Sequence, residues 1–496
     1  MNENKSTVAK FYLIATFCLM PLYYDNGYFN TLSAKATIFY IAAGITATLA
    51  VALWLFGKNS LRHPIDGIRR FAGSFDWMDG AVFLFGTVAL LSCLFSEYKE
   101  EAFTGSAGWS MGGLTLASLS FLYFFLSRNL EFEKKDWGYL MLGGFLVMLL
   151  GFLNGMSIDP LSMHAKLIES ELFEYISTIG NVNSYAGYLS LLIPVVMVLF
   201  LHTTSRAGFV TESAFLTLGF ANMFMSNSDG TYLGVGISFL FLIYYVLRRQ
   251  KLYQRFLLAV IYFGIAGGIV RLIECKWTRD VVPFSGISAM ILHDNLWVCL
   301  LIGGVVLYVL FTLWKNKHTL SERVTRMSGI VYAVVVCVAA AVAIGYTALH
   351  FSGSWGTKRG YIWMFAVSIF GDGNLLQKII GIGPDCFGIP TMERFGDFIA
   401  EKWGERVANA HNEYLQYLVT MGLAGLAAYA GIYLSALKEY WKKESWSISR
   451  MAALAGILGY MGQAAVNNPQ ALNMATLFVL LAIFRREKIE GKCEVK

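Results

Sequence analysis

The stretch LWVCLLIGGVVLYVLFTLW, residues 296–314, contains no charged side chain and no proline. A helix of about 20 residues covers the ~30 Å hydrocarbon core of a bilayer, so this run has the length and character of a membrane span. Lipid offers no partner for backbone N–H and C=O groups, which makes a helix the form such a run takes. Similar runs recur throughout the 496 residues. They lie at approximately 8–24, 34–56, 79–95, 110–127, 138–156, 184–201, 208–225, 230–247, 256–273, 296–314, 328–349, 411–437, 451–466 and 470–484, about fourteen in all. Composition agrees: 56% of residues are hydrophobic, only 15% are charged and the mean hydropathy is +0.55. A soluble multidomain protein is excluded. The expected fold is all-α, a single polytopic membrane domain over residues 1–496 with about 12–14 transmembrane helices.

Orientation follows from the basic residues. Lys58, Arg62, Arg69 and Arg70 share one side with Arg248, Arg249, Lys251 and Arg255. Lys315, Lys317, Arg323, Arg326, Lys438, Lys442, Lys443, Arg450 and the tail from Arg485 fall there too. The positive-inside rule makes that side cytoplasmic. Both termini are then expected in the cytoplasm, the chain in the cytoplasmic (inner) membrane, and segments 157–183 and 350–410 outside it. The net charge of +6 anchors the protein to anionic membrane lipids, at roughly 1 kcal/mol per basic residue. No nucleic-acid partner is needed to explain it. No small-x-small cleavage pattern follows Tyr24, where Asp25 and Asn26 stand, so the first apolar segment reads as a retained helix. Of seven cysteines, Cys18, Cys93, Cys299 and Cys337 fall within spans and Cys493 in the cytoplasmic tail. Only Cys275 and Cys386 fall outside, and they read as two unrelated thiols rather than a disulfide.

The two long outer segments differ in character. In 157–183, Glu169, Glu171 and Glu174 alternate with Leu167, Ile168, Leu172, Phe173 and Ile176 at helical spacing. That pattern predicts an amphipathic helix on the outer surface. Segment 350–410 holds Trp355, Tyr361, Trp363, Phe387, Phe395, Phe398 and Trp403. Aromatics at that density predict a large extracytoplasmic loop packed over the helix bundle, with belt anchoring at the interface as the plainer explanation for part of them.

Under this topology every polar cluster that reads as functional falls on the outer face. Asn181 and Asn183 open the sixth span, and Asp229 sits in the hairpin between the seventh and eighth. Arg359, Trp363, the turn Gly381-Ile382-Gly383-Pro384, Arg394 and Arg406 lie in the large loop, and His411-Asn412-Glu413-Tyr414 leads into the next span. If they converge, they form an outward-facing polar pocket. No Walker-type loop, outer DxD pair or metal-spaced His/Cys cluster appears, so neither cofactor nor metal is expected. Arginine forks suit phosphate oxygens, and Asn412 is a good N-cap for a helix whose N–H groups and dipole favour an anion. An anionic pyrophosphate fits that combination. His411 beside a helix start would stay neutral near pH 7, able to accept a proton. Each residue also has a plain reading. His411, Asn181 and Asn183 serve as caps or surface residues, Arg359 as an interfacial arginine, and Asp229 and the glycines as turn chemistry.

The order of these pieces resembles the O-antigen ligase and polymerase superfamily of bacterial membrane glycosyltransferases. The matching elements are Gly180 through Ala186, Arg359 through Trp363, Gly381 through Pro384 ending at Phe387, and His411 through Leu415 with Gly422, Gly425 and Leu426. The resemblance implies transfer of glycan from an undecaprenyl-pyrophosphate-linked donor to a glycan or lipid acceptor at the outer leaflet, without metal or cofactor. It implies that Arg359 holds the pyrophosphate and that His411 activates or orients the acceptor hydroxyl. Asn181, Asn183, Asp229, Trp363, Arg394, Arg406, Asn412, Glu413 and Tyr414 are then expected around the substrate. One departure is Ser228-Asp229-Gly230, where many relatives carry a Ser-Arg-Gly-like element; it leaves the acceptor open. Polymerisation is favoured over ligation. A flippase for lipid-linked sugar is the alternative, with Pro194 and the glycine-rich 262–268 run as its best support. A membrane sensor or scaffold is the third reading.

Overall fold

The computed structural model describes residues 2–28, 30–56, 73–168, 171–172, 174–276, 284–315, 317–441 and 446–490. The basic residues at 58, 62, 69, 70, 442 and 443, together with Glu169, Phe173 and Cys493, lie outside them. Each expected span coincides with helix, from Asn2–Ile14, prolonged through a π turn at Ala15–Leu19, to Ala471–Glu490. Among the described residues, nine helices are long and apolar enough to cross a membrane, including Thr31–Leu55, Trp77–Phe95, Val182–His202, Leu296–Lys315, Glu322–Leu349 and Glu413–Trp441. Gly113–Asn129 and Ile448–Gln463 are shorter, at 17 and 16 residues. Apolar side chains of Glu322–Leu349 such as Val334, Val338 and Ile344 are exposed, a surface suited to lipid rather than water. Contacts divide the chain into two compact units, where the composition predicts one domain.

The first unit comprises Met1–Gly143, Gly353–Ile457 and Ala464–Lys496. Trp77–Phe95 packs on Gly113–Asn129 and on Glu413–Trp441, and Ala471–Glu490 packs on Gly113–Asn129 and Thr31–Leu55. A buried ionic cluster ties these ends together. Asp79, fully buried in a capping box with Asp76, pairs with Arg128 at 3.0 Å and Arg485 at 2.9 Å and accepts from the Tyr123 hydroxyl at 2.8 Å. Removing one partner of such a cluster leaves an uncompensated buried charge, costing about 3–5 kcal/mol. Lys35, also buried, donates to the Pro21 carbonyl at 2.9 Å and to that of Tyr23, closing the end of the first helix.

Segment 350–410 is mostly helical rather than loop-like: Arg359–Asp372, Leu375–Ile380 and Gly388–Trp403 occupy it. Its aromatics build a core of their own. Phe365 stacks on Phe395 with centroids 4.2 Å apart, and Tyr361, Phe398 and Trp403 pack around Ile362, Ile399 and Val419. Belt anchoring is not needed to explain those rings.

The second unit comprises Gly144–Ser352 and Leu458–Gln463. Val182–His202, the most enclosed span, packs on Arg206–Met225 and Asp229–Leu247. It runs unbroken through Pro194. Proline removes the donor to the carbonyl four residues back, that of Ser190, and Gly459 fits there: a Cβ on Gly459 would lie 2.1 Å from the Ser190 oxygen. The 262–268 run is likewise continuous helix within Tyr253–Lys276, its Gly264 and Gly267 making room for Leu301 and Trp297. Neither feature is the broken helix that a transport reading would draw on.

Segment 157–183 departs from expectation. Its described residues form turns, a short 3-10 helix at His164–Lys166 and an antiparallel pair, Tyr175–Ile176 with Gly180–Asn181, instead of an amphipathic helix. Left-handed backbone at Ser162 and at Ser177 bounds the stretch on either side, and the Ser177 hydroxyl donates to the Val147 carbonyl at 2.6 Å. Cys275 and Cys386 are both free thiols.

Candidate active site

The first unit holds Arg359, Trp363, Arg394, Arg406, His411, Asn412, Glu413 and Tyr414. The chain reaches His411 through a turn that ends with left-handed backbone at that residue, φ 46°. Asn412 then caps the Glu413–Trp441 helix, its Oδ1 accepting from Leu415 N–H at 3.1 Å. The Ala410 N–H donates to Gln416 Oε1 at 2.9 Å, which ties the turn back onto the helix.

The helix that follows is broken. Gly422 has φ 66° and ψ −168°, a conformation outside the helix, so the carbonyls of Val419 and Thr420 lose their usual partners. The glycine turn supplies new ones: Ile382 N–H donates to Val419 at 3.2 Å and Gly383 N–H to Thr420 at 3.0 Å. Ser92 adds its hydroxyl to Thr420 at 2.9 Å. The fit leaves no room for side chains. A Cβ on Gly381 (φ 80°) would lie 2.2 Å from Met421 N, and one on Gly422 2.4 Å from the Ile379 carbonyl carbon. Gly381-Ile382-Gly383-Pro384 is therefore a strut for the kinked helix.

Asp385 extends that strut. Its Oδ2 accepts from Ser106 N–H at 2.8 Å, Ser106 Oγ at 3.0 Å and Met111 N–H at 3.1 Å. Burial pushes its carboxyl up to about 6, opposed by those donors. The kink has a second brace. Glu413, fully buried, accepts from the Tyr429 hydroxyl on the far side of the break, and Tyr433 donates to Tyr429 at 2.7 Å. Tyr414 lies against Tyr429, with centroids 5.6 Å apart. Glu413 and Tyr414 thus hold the helix together beside His411.

Arg359 begins the Arg359–Asp372 helix after left-handed backbone at Gly356, Thr357 and Lys358. Its guanidinium lies within electrostatic reach of His411. Burial first, and then the Arg359 charge, push that imidazole down to about 4, with Glu405 opposing. His411 is accordingly neutral at physiological pH. The helix start offered the sequence a different reason for the same state. Trp363 packs on Trp355, centroids 5.0 Å apart. Arg394 is engaged elsewhere, in an exposed pair with Asp372 at 2.9 Å, and Arg406 is exposed in the turn after Gly388–Trp403. Among the predicted arginines, the electrostatics link Arg359 to His411.

Asn181, Asn183 and Asp229 belong to the second unit, where each has a local task. Asn181 caps Val182–His202 by accepting from Asn183 N–H at 2.9 Å. Asn183 Oδ1 accepts from the Ser228 hydroxyl at 3.1 Å. Asp229 accepts from Ile287 N–H at 2.9 Å, over Gly286, where a Cβ would lie 2.5 Å from the carboxylate. The same unit contains a pair that spacing did not single out: His164 beside Asp159, Nδ1 to Oδ2 3.3 Å, lining a cavity with Asn154 and Tyr175. In the first unit the overlooked residue is Asn468, whose amide nitrogen sits 3.4 Å from His411 Nδ1. An asparagine in the short polar link between two apolar runs gave no signal of it. Among the described residues no cluster of His, Cys, Asp and Glu is arranged to hold a metal ion.

Residues 284–430 match the family model for O-antigen ligase. The match takes in Arg359, the strut glycines and His411, and leaves Asn181, Asn183 and Asp229 outside. It supports a multi-pass membrane protein of the O-antigen ligase superfamily, of glycosyltransferase type. No curated protein matches the chain.

Proposed function

We propose that this protein joins glycan at the outer leaflet of the cytoplasmic membrane, taking it from an undecaprenyl-pyrophosphate carrier, with chain polymerisation favoured over ligation. The observation that carries this reading is a neutral His411 within electrostatic reach of Arg359, both inside the segment matched to O-antigen ligase. A pyrophosphate suits Arg359, whose planar fork bonds two oxygens at once, with the start of the Glu413–Trp441 helix adding positive dipole. Its negative charge offsets the arginine charge that holds the imidazole down, so His411 becomes a better base once donor is bound.

The acceptor hydroxyl oxygen attacks the anomeric carbon, the bond from that carbon to the pyrophosphate oxygen breaks, and the configuration inverts. The electron pair leaves with the lipid pyrophosphate, and the hydroxyl proton passes to His411. The Asn468 amide beside Nδ1 orients the ring for that transfer. Arg359 and the helix N-terminus stabilise charge that grows on the leaving group.

Loss of one such group costs ~100- to 1000-fold in rate. Arg359→Ala and His411→Ala are therefore expected to abolish surface polymer at unchanged membrane levels of the protein, as read on immunoblots of cell envelopes. Near-wild-type polymer from either variant overturns the role given to that residue.

A further inference from the structure

Two buried amides, one near His411 in sequence and one near Asn468, have oxygens without a hydrogen-bond partner among the described residues. Asn409 and Gln470 are 4% and 2% exposed, and Asn409 Oδ1 and Gln470 Oε1 have no hydrogen-bond partner among the described residues. Asn409 stands two positions before His411. Gln470 stands two positions after Asn468, the residue that touches the imidazole, in a loop whose first turn, Ala464–Val466, packs on the Glu413–Trp441 helix. Both oxygens belong to the first unit.

A buried carbonyl without a donor costs about 1–3 kcal/mol, and proteins rarely keep one. Two in the segments that carry the candidate catalytic histidine and its asparagine neighbour call for a ligand that brings O–H or N–H donors. Both are neutral, so they neither repel a pyrophosphate nor need a cation. A sugar is rich in hydroxyl donors and uncharged at those positions. It suits them better than the pyrophosphate, which carries acceptors only and would leave both oxygens unpaired.

We propose that Asn409 and Gln470 form a sugar subsite that reads hydroxyl groups of the glycan brought to His411. The subsite rests on the glycan-transfer reading, and it assigns sugar recognition to amides and pyrophosphate recognition to Arg359. A group retained for a ligand rather than for the fold has a recognisable signature. Replacing it by an apolar isostere leaves the protein as stable or more stable, while recognition falls.

The test uses the purified full chain in detergent, with two probes: undecaprenyl pyrophosphate bearing an oligosaccharide, and bare undecaprenyl pyrophosphate. Asn409→Leu and Gln470→Met are compared with wild type for binding of each probe and for melting temperature. Wild type is expected to prefer the glycan-bearing probe. Each variant is expected to lose about ten-fold of that preference, bind the bare carrier as wild type does, and melt no lower. Retained preference in both variants overturns the subsite. A fall in melting temperature of several degrees in both also overturns it, because the amides then serve the fold. Wild type binding both probes equally defeats the subsite alone, whereas failure of wild type to bind even the bare carrier defeats the transfer reading beneath it.

Discussion

At the scale of single residues, the account turns on why His411 is neutral. Burial and the Arg359 charge hold its imidazole at about 4, against about 6.5 in an unfolded chain. Between those two values the unfolded chain binds the extra proton and the folded one does not. Acidification from about pH 6.5 toward 4 therefore removes stability, and above that window His411 contributes no pH dependence. Arg359→Gln takes away one of the two causes, so the His411 pKa is expected to rise toward the ordinary value. An NMR titration of the imidazole in wild-type and Arg359→Gln protein measures this directly. Identical titration in the two would mean that the guanidinium does not act on His411. Both residues were legible in the sequence because their side chains advertise chemistry. Asn409, Asn468 and Gln470 were not, since an amide near a helix end reads as a cap until its neighbours in space are known.

At the scale of elements, the kink at Gly422 sets where the histidine turn sits. It holds because Ile382, Gly383 and Ser92 supply donors for the freed carbonyls, while Gly381 and Gly422 let two backbones touch. Alanine at either glycine incurs about 1–3 kcal/mol for a positive-φ, extended-ψ backbone that only glycine adopts readily, and a backbone overlap in addition. Gly381→Ala and Gly422→Ala are expected to lower the melting temperature in detergent well beyond Gly108→Ala, which has φ 87° but nothing within 4 Å of its Cβ. Equal losses from all three would remove close packing as the reason for the glycines. The spans themselves could be read from hydropathy, because a chain in lipid must pair its backbone within each segment. The break could not, because its compensating donors come from elsewhere in the chain. In segment 157–183, likewise, the glutamate spacing carries no sign that Tyr175 and Ile176 pair with Gly180 and Asn181, since strand partners lie outside a helical window.

At the scale of the whole molecule, the charge bias predicts which face meets the periplasm or exterior. In a chain otherwise lacking cysteine, Arg406→Cys is expected to react with an impermeant maleimide added to intact cells. Arg248→Cys, exposed in the turn that follows Asp229–Leu247, is expected to react only after permeabilisation. The opposite pattern would invert the topology and place the site on the nucleotide-rich side, where a lipid-pyrophosphate donor would be approached from the wrong leaflet. The division into two compact units had no counterpart in the hydropathy pattern, which registers spans and not their partners. The family match over 284–430 spans Arg359 and His411 and leaves out Asn181, Asn183 and Asp229, whose observed bonds serve caps and turns.

Incubation of the purified protein with undecaprenyl-pyrophosphate-linked oligosaccharide, followed by mass spectrometry of the lipid extract, tests glycan transfer most directly. New glycosidic bonds from wild type, formed with chelator present and without nucleotide, and none from Arg359→Ala or His411→Ala, are the expected result. Movement of intact donor between leaflets of a proteoliposome with no new bond, or equal product from all three proteins, would contradict it.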